Sequence, residues 1–328
     1  MKKIDNYING AGSIAISGHI RPDGDCVGSV LALYNYIQAN YPDINVDVYL
    51  EKPAARFGFL KGFDKIKICG GCEDTASTQE TAQYDLMVSL DCSTVERLGG
   101  AYSYFRQSKY TICLDHHISN TGFADENYIY PDASSACEVL YGFLDDEKLN
   151  LDIATCLYVG IVSDTGIFKY PSTSPETMRI AARLMEFGID TNRVIDDSFS
   201  SMSWNESRIL GYALSNSSLA FGGKVICSCI TENDMKRYNV TARELDGIVA
   251  QLRQVNGVVC AVLIYETGEY EYKVSFRSEA PFDVNALAGA FGGGGHVRAA
   301  GCNVRGELET CLEAILLKIS DMEGYSFT

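Results

Sequence analysis

The sequence predicts an α/β fold, a mainly parallel sheet with flanking helices, followed by a smaller α+β C-terminal domain. Three observations predict it. The chain has 328 residues, enough for about two domains at roughly 100–200 residues each. Strand-like and helix-like runs alternate through its first half, the pattern of βαβ units. The rhythm then changes after Gly188, where strand-like runs dominate and a glycine run appears.

The elements read in order. Ser13-Ile14-Ala15-Ile16-Ser17-Gly18 is a short strand. Val27, Val30, Leu31, Tyr34 and Ile37 recur at helical spacing after it. Further strands are expected at 45–50, 85–90 and 110–114, and helices at 134–144 and 152–162. Ser174 suits an N-cap and Pro175 a first helical position, and Gly188 suits the end of that helix. The polar stretch 189–204 reads as a linker between a first domain, 1–188, and a second, 205–328. In the second, strands are expected at 224–230, 258–265 and 270–277, with helices near 242–252, 283–290 and 307–319. Gly292–Gly295 reads as a loop, and no internal repeat is visible.

Composition narrows the function. Apolar residues make up 46% and charged residues 21%, so a normal core forms and disorder is not expected. No apolar window reaches about 18 residues, and Asp5, Asn6 and Asn9 interrupt the start, so neither a membrane span nor a secretory signal is expected. The expected location is the cytoplasm. The twelve cysteines lie mostly in apolar runs and read as buried thiols. Cys69-Gly-Gly-Cys72 is the one CxxC, with no second pair or nearby His to complete a zinc site. A net charge of −16 disfavours long duplex nucleic acid, whose affinity comes from Lys and Arg displacing counterions. Small phosphorylated substrates remain compatible, because bound divalent cations reverse the local charge.

The chemistry-bearing residues gather at expected strand ends. There are four histidines. His19 follows the first strand, in His19-Ile-Arg-Pro-Asp23-Gly-Asp25, where Pro22 and Gly24 turn the chain so that three donors converge. A His with two carboxylates suits a hard or borderline divalent ion. Residues 86–90 run into Asp91, residues 111–114 into Asp115-His116-His117, and Asp164 ends an apolar helix. Parallel sheets bind ligands at the carboxyl ends of their strands. Each residue also has a bland reading: His19 as a strand cap, Asp23 as a turn residue, Asp91 as an N-cap, Asp115 as a strand-end carboxylate. Their joint placement favours one site.

The pattern His19-x-x-x-Asp23-x-Asp25, Asp91, Asp115-His116-His117, Asp164 resembles the four motifs of DHH phosphoesterases. Phe291-Gly-Gly-Gly-Gly-His296-Val-Arg298-Ala-Ala-Gly301 resembles the signature of the DHH-associated domain. The resemblance covers nearly the whole chain. Residues 163–170 look most like the branch of oligoribonucleases and phosphoadenosine-phosphate phosphatases. It implies one metal held by His19, Asp23 and Asp91, and another by Asp25, Asp91, His116 and Asp164. His117 would contact the scissile phosphate or assist the leaving group, with Asp115 as its orienter or that of its neighbour. The family works with manganese, sometimes magnesium. Two metals roughly 3.5–4 Å apart would hold a bridging water as hydroxide for in-line attack.

The second domain is expected to select the substrate. Gly294 and Gly295 could offer an anion-binding nest, with His296, Arg298 and Arg277 holding a phosphate. The bland reading of the glycines is a flexible loop. No Gly-Lys-Ser/Thr follows them, which excludes an ATP-binding P-loop. The expected partners are short RNA oligonucleotides, linear dinucleotides or 3′-phosphoadenosine 5′-phosphate; a homodimer is left open. The rival readings are a RecJ-like single-strand exonuclease and a non-catalytic nucleotide-binding protein of the same fold. A DHH pyrophosphatase would lack the Gly-Gly-Gly-His run, and a cyclic-dinucleotide phosphodiesterase often carries membrane segments.

Overall fold

A computed structural model describes residues 3–70, 83–200, 202–245 and 247–322. The chain forms two compact units, divided between Ser201 and Met202. None of the described helices is long and apolar enough to cross a membrane.

The first unit is built on six parallel strands: β1 (Ser13–Ser17), β2 (Asn45–Leu50), β3 (Ile66–Ile68), β4 (Leu86–Leu90), β5 (Thr111–Asp115) and β6 (Glu126–Ile129), in the order β3-β2-β1-β4-β5-β6. Alternate side chains face opposite sides of such a sheet, so both faces need cover. Ile14 and Ile16 of β1 join Leu86, Val88 and Leu90 of β4 in one core, while Ala15 and Met87 join Phe105 in the other. The helices are α1 (Asp5–Ile8), α2 (Gly24–Asn40), α3 (Tyr102–Gln107), α4 (Ala136–Phe143), α5 (Leu151–Asp164), α6 (Pro175–Met185) and α7 (Thr191–Ile195). Each of the longer ones starts on a capping side chain: Asp23 for α2, Ser135 for α4, Asn150 for α5 and the expected Ser174 for α6, where Thr177 completes a capping box. Because the strand order runs outward in opposite directions from β1 and β4, a crevice opens at their carboxyl ends, the place where open α/β sheets bind ligands.

Helices α2 and α5 cross at glycines. A Cβ on Gly28 would lie 2.6 Å from the carbonyl oxygen of Cys156, and one on Gly160 2.2 Å from Cys137 Sγ. The backbones therefore approach as closely as only glycine permits.

The second unit carries a mixed six-stranded sheet of β7 (Ser218–Ala220), β8 (Val225–Ile230), β9 (Cys260–Gly268), β10 (Glu271–Ser278), β11 (Gly294–His296) and β12 (Ala299–Arg305). Its order is β11-β12-β10-β9-β8-β7. Helices α8 (Trp204–Ser215), α9 (Glu232–Tyr238) and α10 (Ile248–Arg253) cover one face, and α11 (Val284–Gly289) and α12 (Leu308–Asp321) the other. Along β9, Cys260, Val262 and Ile264 bury into the second of these cores and Ala261, Leu263 and Tyr265 into the first.

Several elements differ from the sequence reading. Strands β3 and β6 were not expected, and both are short, partly exposed edge strands. The stretch 189–204 contains α7 and a π-helical turn at Asp196–Ser200, and the division between the two units falls within it. The helix expected at 242–252 is a 3₁₀ turn at Ala242–Leu245 and then α10, with Gly247 at φ +89° before it. The glycine run is no loose loop: Gly294–His296 pairs antiparallel with Ala299–Gly301 as β11.

Candidate metal centre

The sheet topology places the expected residues together. His19 follows β1, Asp91 follows β4 directly, and His116 and His117 follow Asp115, the last residue of β5. Asp91 adopts a left-handed backbone, φ +53°, which Asp tolerates better than most residues. That turn aims its carboxylate across the crevice. Asp23 and Asp25 open α2, and Asp164 ends α5.

Asp91 is the hub. Its Oδ2 lies 3.3 Å from His19 Nε2, and its Oδ1 lies 3.5 Å from His116 Nε2 and 3.6 Å from His117 Nδ1. On one side, His19 Nε2 also lies 3.7 Å from Asp23 Oδ2. On the other, His116 Nε2 lies 3.2 Å from Asp164 Oδ2 and 3.9 Å from Asp25 Oδ2. His19 Nδ1 donates to the carbonyl of Ile20 at 2.7 Å, which leaves the Nε2 lone pair facing the carboxylates. His117 is held differently. Its Nδ1 donates to Asp115 Oδ1 at 2.8 Å, and the other oxygen of Asp115 accepts from Asn120 Nδ2 at 2.7 Å.

Asp25 is fully buried and anchored by backbone. Its oxygens accept from the amides of Ala136 at 2.6 Å and Cys137 at 3.0 Å, at the positive end of α4. The N-cap role suggested for Asp91 falls instead to Asp23, whose Oδ1 accepts from the amides of Asp25 and Cys26 while Oδ2 faces His19.

The charges are severely frustrated without a cation. Burial alone would lower the His19 pKa, but the carboxylates of Asp23 and Asp91, 3.7 and 3.3 Å away, outweigh it and push it up to about 10. His116, likewise disfavoured as a cation by burial, is pushed up to about 11 by Asp164 and Asp91. Burial and the neighbouring Asp91 and Asp164 hold Asp25 well above the carboxylate range, and burial also raises Asp164. Burial would raise Asp91 too, yet the two histidines keep it below that range. Asp91 Oδ1 and His116 Nε2, 3.5 Å apart, are both buried with no hydrogen-bond partner. Buried polar atoms are rarely left so. Nitrogen and carboxylate donors converging with spare lone pairs fit a divalent cation. Asp91, Asp115, His116 and His117 form one such group, Asp25, His116 and Asp164 a second, and His19, Cys26 and Asp91 a third.

Sequence reasoning missed Asn120, Cys26 and the amides of α4. Asn120 has only its spacing from Asp115 as a signal. The role of the α4 amides was unreadable, since Ala136 and Cys137 act through backbone.

Gly160 guards the centre. A Cβ there would sit 2.5 Å from Asp25 Oδ1 as well as against Cys137 Sγ. Gly160→Ala is expected to cost about 1–3 kcal/mol of stability by overpacking and to weaken cation binding through Asp25. Thermal unfolding and metal titration of the variant check this.

In the second unit the glycine run is committed to structure. The amides of Gly292 and Gly293 donate to the carbonyls of Gly289 and Ala288, and that of Gly295 to Asn285 Oδ1. A Cβ on Gly293 would lie 2.2 Å from the carbonyl oxygen of Gly301 and one on Gly295 2.5 Å from that of Ala299, so glycine is required by hairpin packing. The expected anion nest is therefore largely occupied. Arg298 Nη1 donates to the carbonyl of Phe282 at 2.7 Å, tying the hairpin to the neighbouring turn, and Arg277 Nη1 to that of Phe276 at 3.0 Å. Arg277 lies opposite Ala299, which lies opposite His296, so Arg277 and the exposed His296 share one face of the sheet. Cys69 is a free thiol that burial pushes up to about 11, and Cys72 lies outside the described residues.

Comparison with known proteins places this geometry. A bifunctional oligoribonuclease and PAP phosphatase NrnA of Bacillus subtilis is 26% identical over 297 residues, 89% of each chain. The protein of the same name from Thermus thermophilus is 28% identical over 309 residues, covering 93% of this chain and 88% of its own. The crystal structure of an exopolyphosphatase-related protein from Bacteroides fragilis shares the fold, with a TM-score of 0.85 at 23% identity over 97% of this chain and 94% of that one. Residues 13–161 match the DHH family N-terminal domain and residues 222–321 the DHHA1 domain. The chain therefore joins a DHH domain to a DHHA1 domain, with all of its His and Asp cluster but Asp164 inside the first match and its glycine hairpin inside the second.

Proposed function

We propose that this hydrolase is a metal-dependent phosphoesterase that cleaves short oligoribonucleotides, including linear dinucleotides, and 3′-phosphoadenosine 5′-phosphate. The observation that carries the reading is Asp91, with one carboxylate oxygen toward His19 and the other toward His116. The names of the NrnA relatives supply the substrate classes. In this reading His19, Asp23 and Asp91 hold one divalent cation, and Asp25, Asp91, His116 and Asp164 hold another. Manganese, or else magnesium, supplies when bound the Lewis acidity that activates water and offsets phosphoryl charge.

The chain's own residues do the rest. Asp115 fixes the ring of His117 through Nδ1, and Asn120 fixes Asp115. The Nε2 of His117 is then oriented to donate to the scissile phosphate or the leaving oxygen. The α4 amides keep Asp25 in place. In the DHHA1 domain, His296, Arg277 and Arg298, beside Gly294 and Gly295, hold a phosphate other than the one cleaved. Each guanidinium has five donors, so the backbone bonds of Arg277 and Arg298 leave others for substrate.

The arginine role separates by substrate. Arg298→Ala is expected to impair a dinucleotide by roughly 1.5–3 kcal/mol, typical of a charge-assisted hydrogen bond. A dye ester with a single phosphate should be nearly unaffected. Equal losses on both substrates would assign Arg298 to its turn-anchoring bond with Phe282.

The test of the whole reading is a panel of labelled RNAs of two to seven nucleotides and the phosphoadenosine compound, assayed with manganese. The net charge of −16 repels long polyanions, so turnover per end should be fastest on the shortest oligomers. Faster turnover per end on an RNA of about forty nucleotides would favour the exonuclease alternative. No hydrolysis of any member, with cations bound, would favour the non-catalytic one.

A further inference from the structure

Asp25 and Cys26 are neighbours on the first turn of α2, and their side chains leave it in different directions. Asp25 reaches the α4 amides, whereas Cys26 points into the crevice between β1 and β4. There its Sγ, a ring nitrogen of His19 and a carboxylate oxygen of Asp91 all lie within 4.8 Å of one another. All three residues are buried, at 0, 5 and 2% exposure. A Cβ on Gly18 would sit 2.3 Å from that sulfur, so the absent side chain at 18 is what makes room for it. Among the described residues Sγ makes a long hydrogen bond, 3.9 Å, to the carbonyl of His19. Asp91 is buried and shared: its Oδ2 faces His19 in this group, and its Oδ1, without a hydrogen-bond partner, faces His116 in the other.

We propose that Cys26 is a sulfur donor to the cation held by His19 and Asp91, and that it biases this position toward thiophilic divalent ions such as zinc, cobalt or ferrous iron. The inference rests on the metal-centre reading above. With Asp23 as the fourth donor, the set is one sulfur, one imidazole and two carboxylates. A tetrahedral zinc ion at about 2.3 Å from sulfur and about 2.0–2.2 Å from nitrogen and oxygen sets such donors about 3.5–3.7 Å apart, so donors within 4.8 Å of one another close on it with movements of about an ångström or less. Coordination displaces the thiol proton to solvent. The group of Asp25, His116 and Asp164 has no sulfur and keeps a preference for harder manganese or magnesium. The two positions would then differ in metal selectivity, which a purely carboxylate-imidazole centre would not provide.

The test is a cobalt(II) titration of chelator-stripped, reduced full-length protein, read by absorption. The wild type should develop the near-ultraviolet band of thiolate-to-cobalt charge transfer. Cys26→Ser and Cys26→Ala should bind cobalt without that band, while Cys69→Ser should keep it. Zinc should lose at least about tenfold in affinity relative to manganese in the Cys26 variants, since even partners of metal ligands are worth 10–100-fold. Zinc-edge X-ray absorption of the wild type, which needs no variant to fold, should show one sulfur at about 2.3 Å. Cobalt bound with no thiolate band and no sulfur around zinc would overturn the proposal and leave the metal centre standing. A band that persists in both Cys26 variants would also overturn it. No cobalt bound at all would overturn the metal-centre reading with it.

Discussion

Asp91→Asn is expected to abolish turnover while the protein stays folded. Asn is, with Gly and Asp, among the residues that best accept the φ of +53° at this position, so the turn after β4 should survive. What is lost is the negative charge between His19 and His116, 3.3 Å and 3.5 Å away. Without it each half of the centre keeps its outer donors but loses the common one, and the loss in kcat/KM should exceed about 10³-fold, several kcal/mol of transition-state charge stabilisation. Circular dichroism and thermal unfolding establish the fold, and hydrolysis of a phosphodiester dye with manganese reads the activity. Normal turnover in a folded Asp91→Asn protein would contradict the two-cation assignment.

The adjacent histidines should behave differently. His117→Ala is expected to lower kcat by about 10²–10⁴-fold, the usual worth of a positioned acid or base, with cation binding retained. Its ring is about a third exposed and anchored by Asp115, 2.8 Å away, so it can serve substrate while staying off the cations. His116→Ala should instead lose cation affinity first, since its Nε2 faces Asp25, Asp91 and Asp164. Metal titration of the two variants beside kcat and KM separates the roles. Loss of cation binding in His117→Ala and retention in His116→Ala would reverse them.

Much of this was legible because strands buried on both faces end in chemistry. Residues 13–17, 86–90 and 111–114 are apolar or small, and His19, Asp91 and Asp115-His116 follow within two residues, so ligand positions follow from where the apolar runs stop. The capping signal Ser174-Pro175 was read from local rules and appears as a complete capping box. The edge strands β3 and β6 span only three and four residues, too short for the Ile66-Lys67-Ile68 alternation of β3 to stand out. Gly293 and Gly295 were misleading for a physical reason. Glycine serves both an open anion loop and a hairpin too tight for a Cβ, and only the neighbours Ala299 and Gly301 decide between them. Arg298 looked like a phosphate ligand, and its bond to the Phe282 carbonyl depends on tertiary folding that no local pattern encodes. Cys26 read as one more buried thiol, and its placement beside Asp91 follows from the β1–β4 neighbour relation.

The central claim is that Asp91 serves two cations at once. The most direct test is anomalous diffraction from crystals of the full chain soaked in manganese. Two manganese peaks are expected in the crevice at the ends of β1 and β4, about 3.5–4 Å apart, both in contact with the Asp91 carboxylate. One peak should lie beside His19 and the other among Asp25, His116 and Asp164. A single peak, or two peaks of which one does not touch Asp91, would contradict the account.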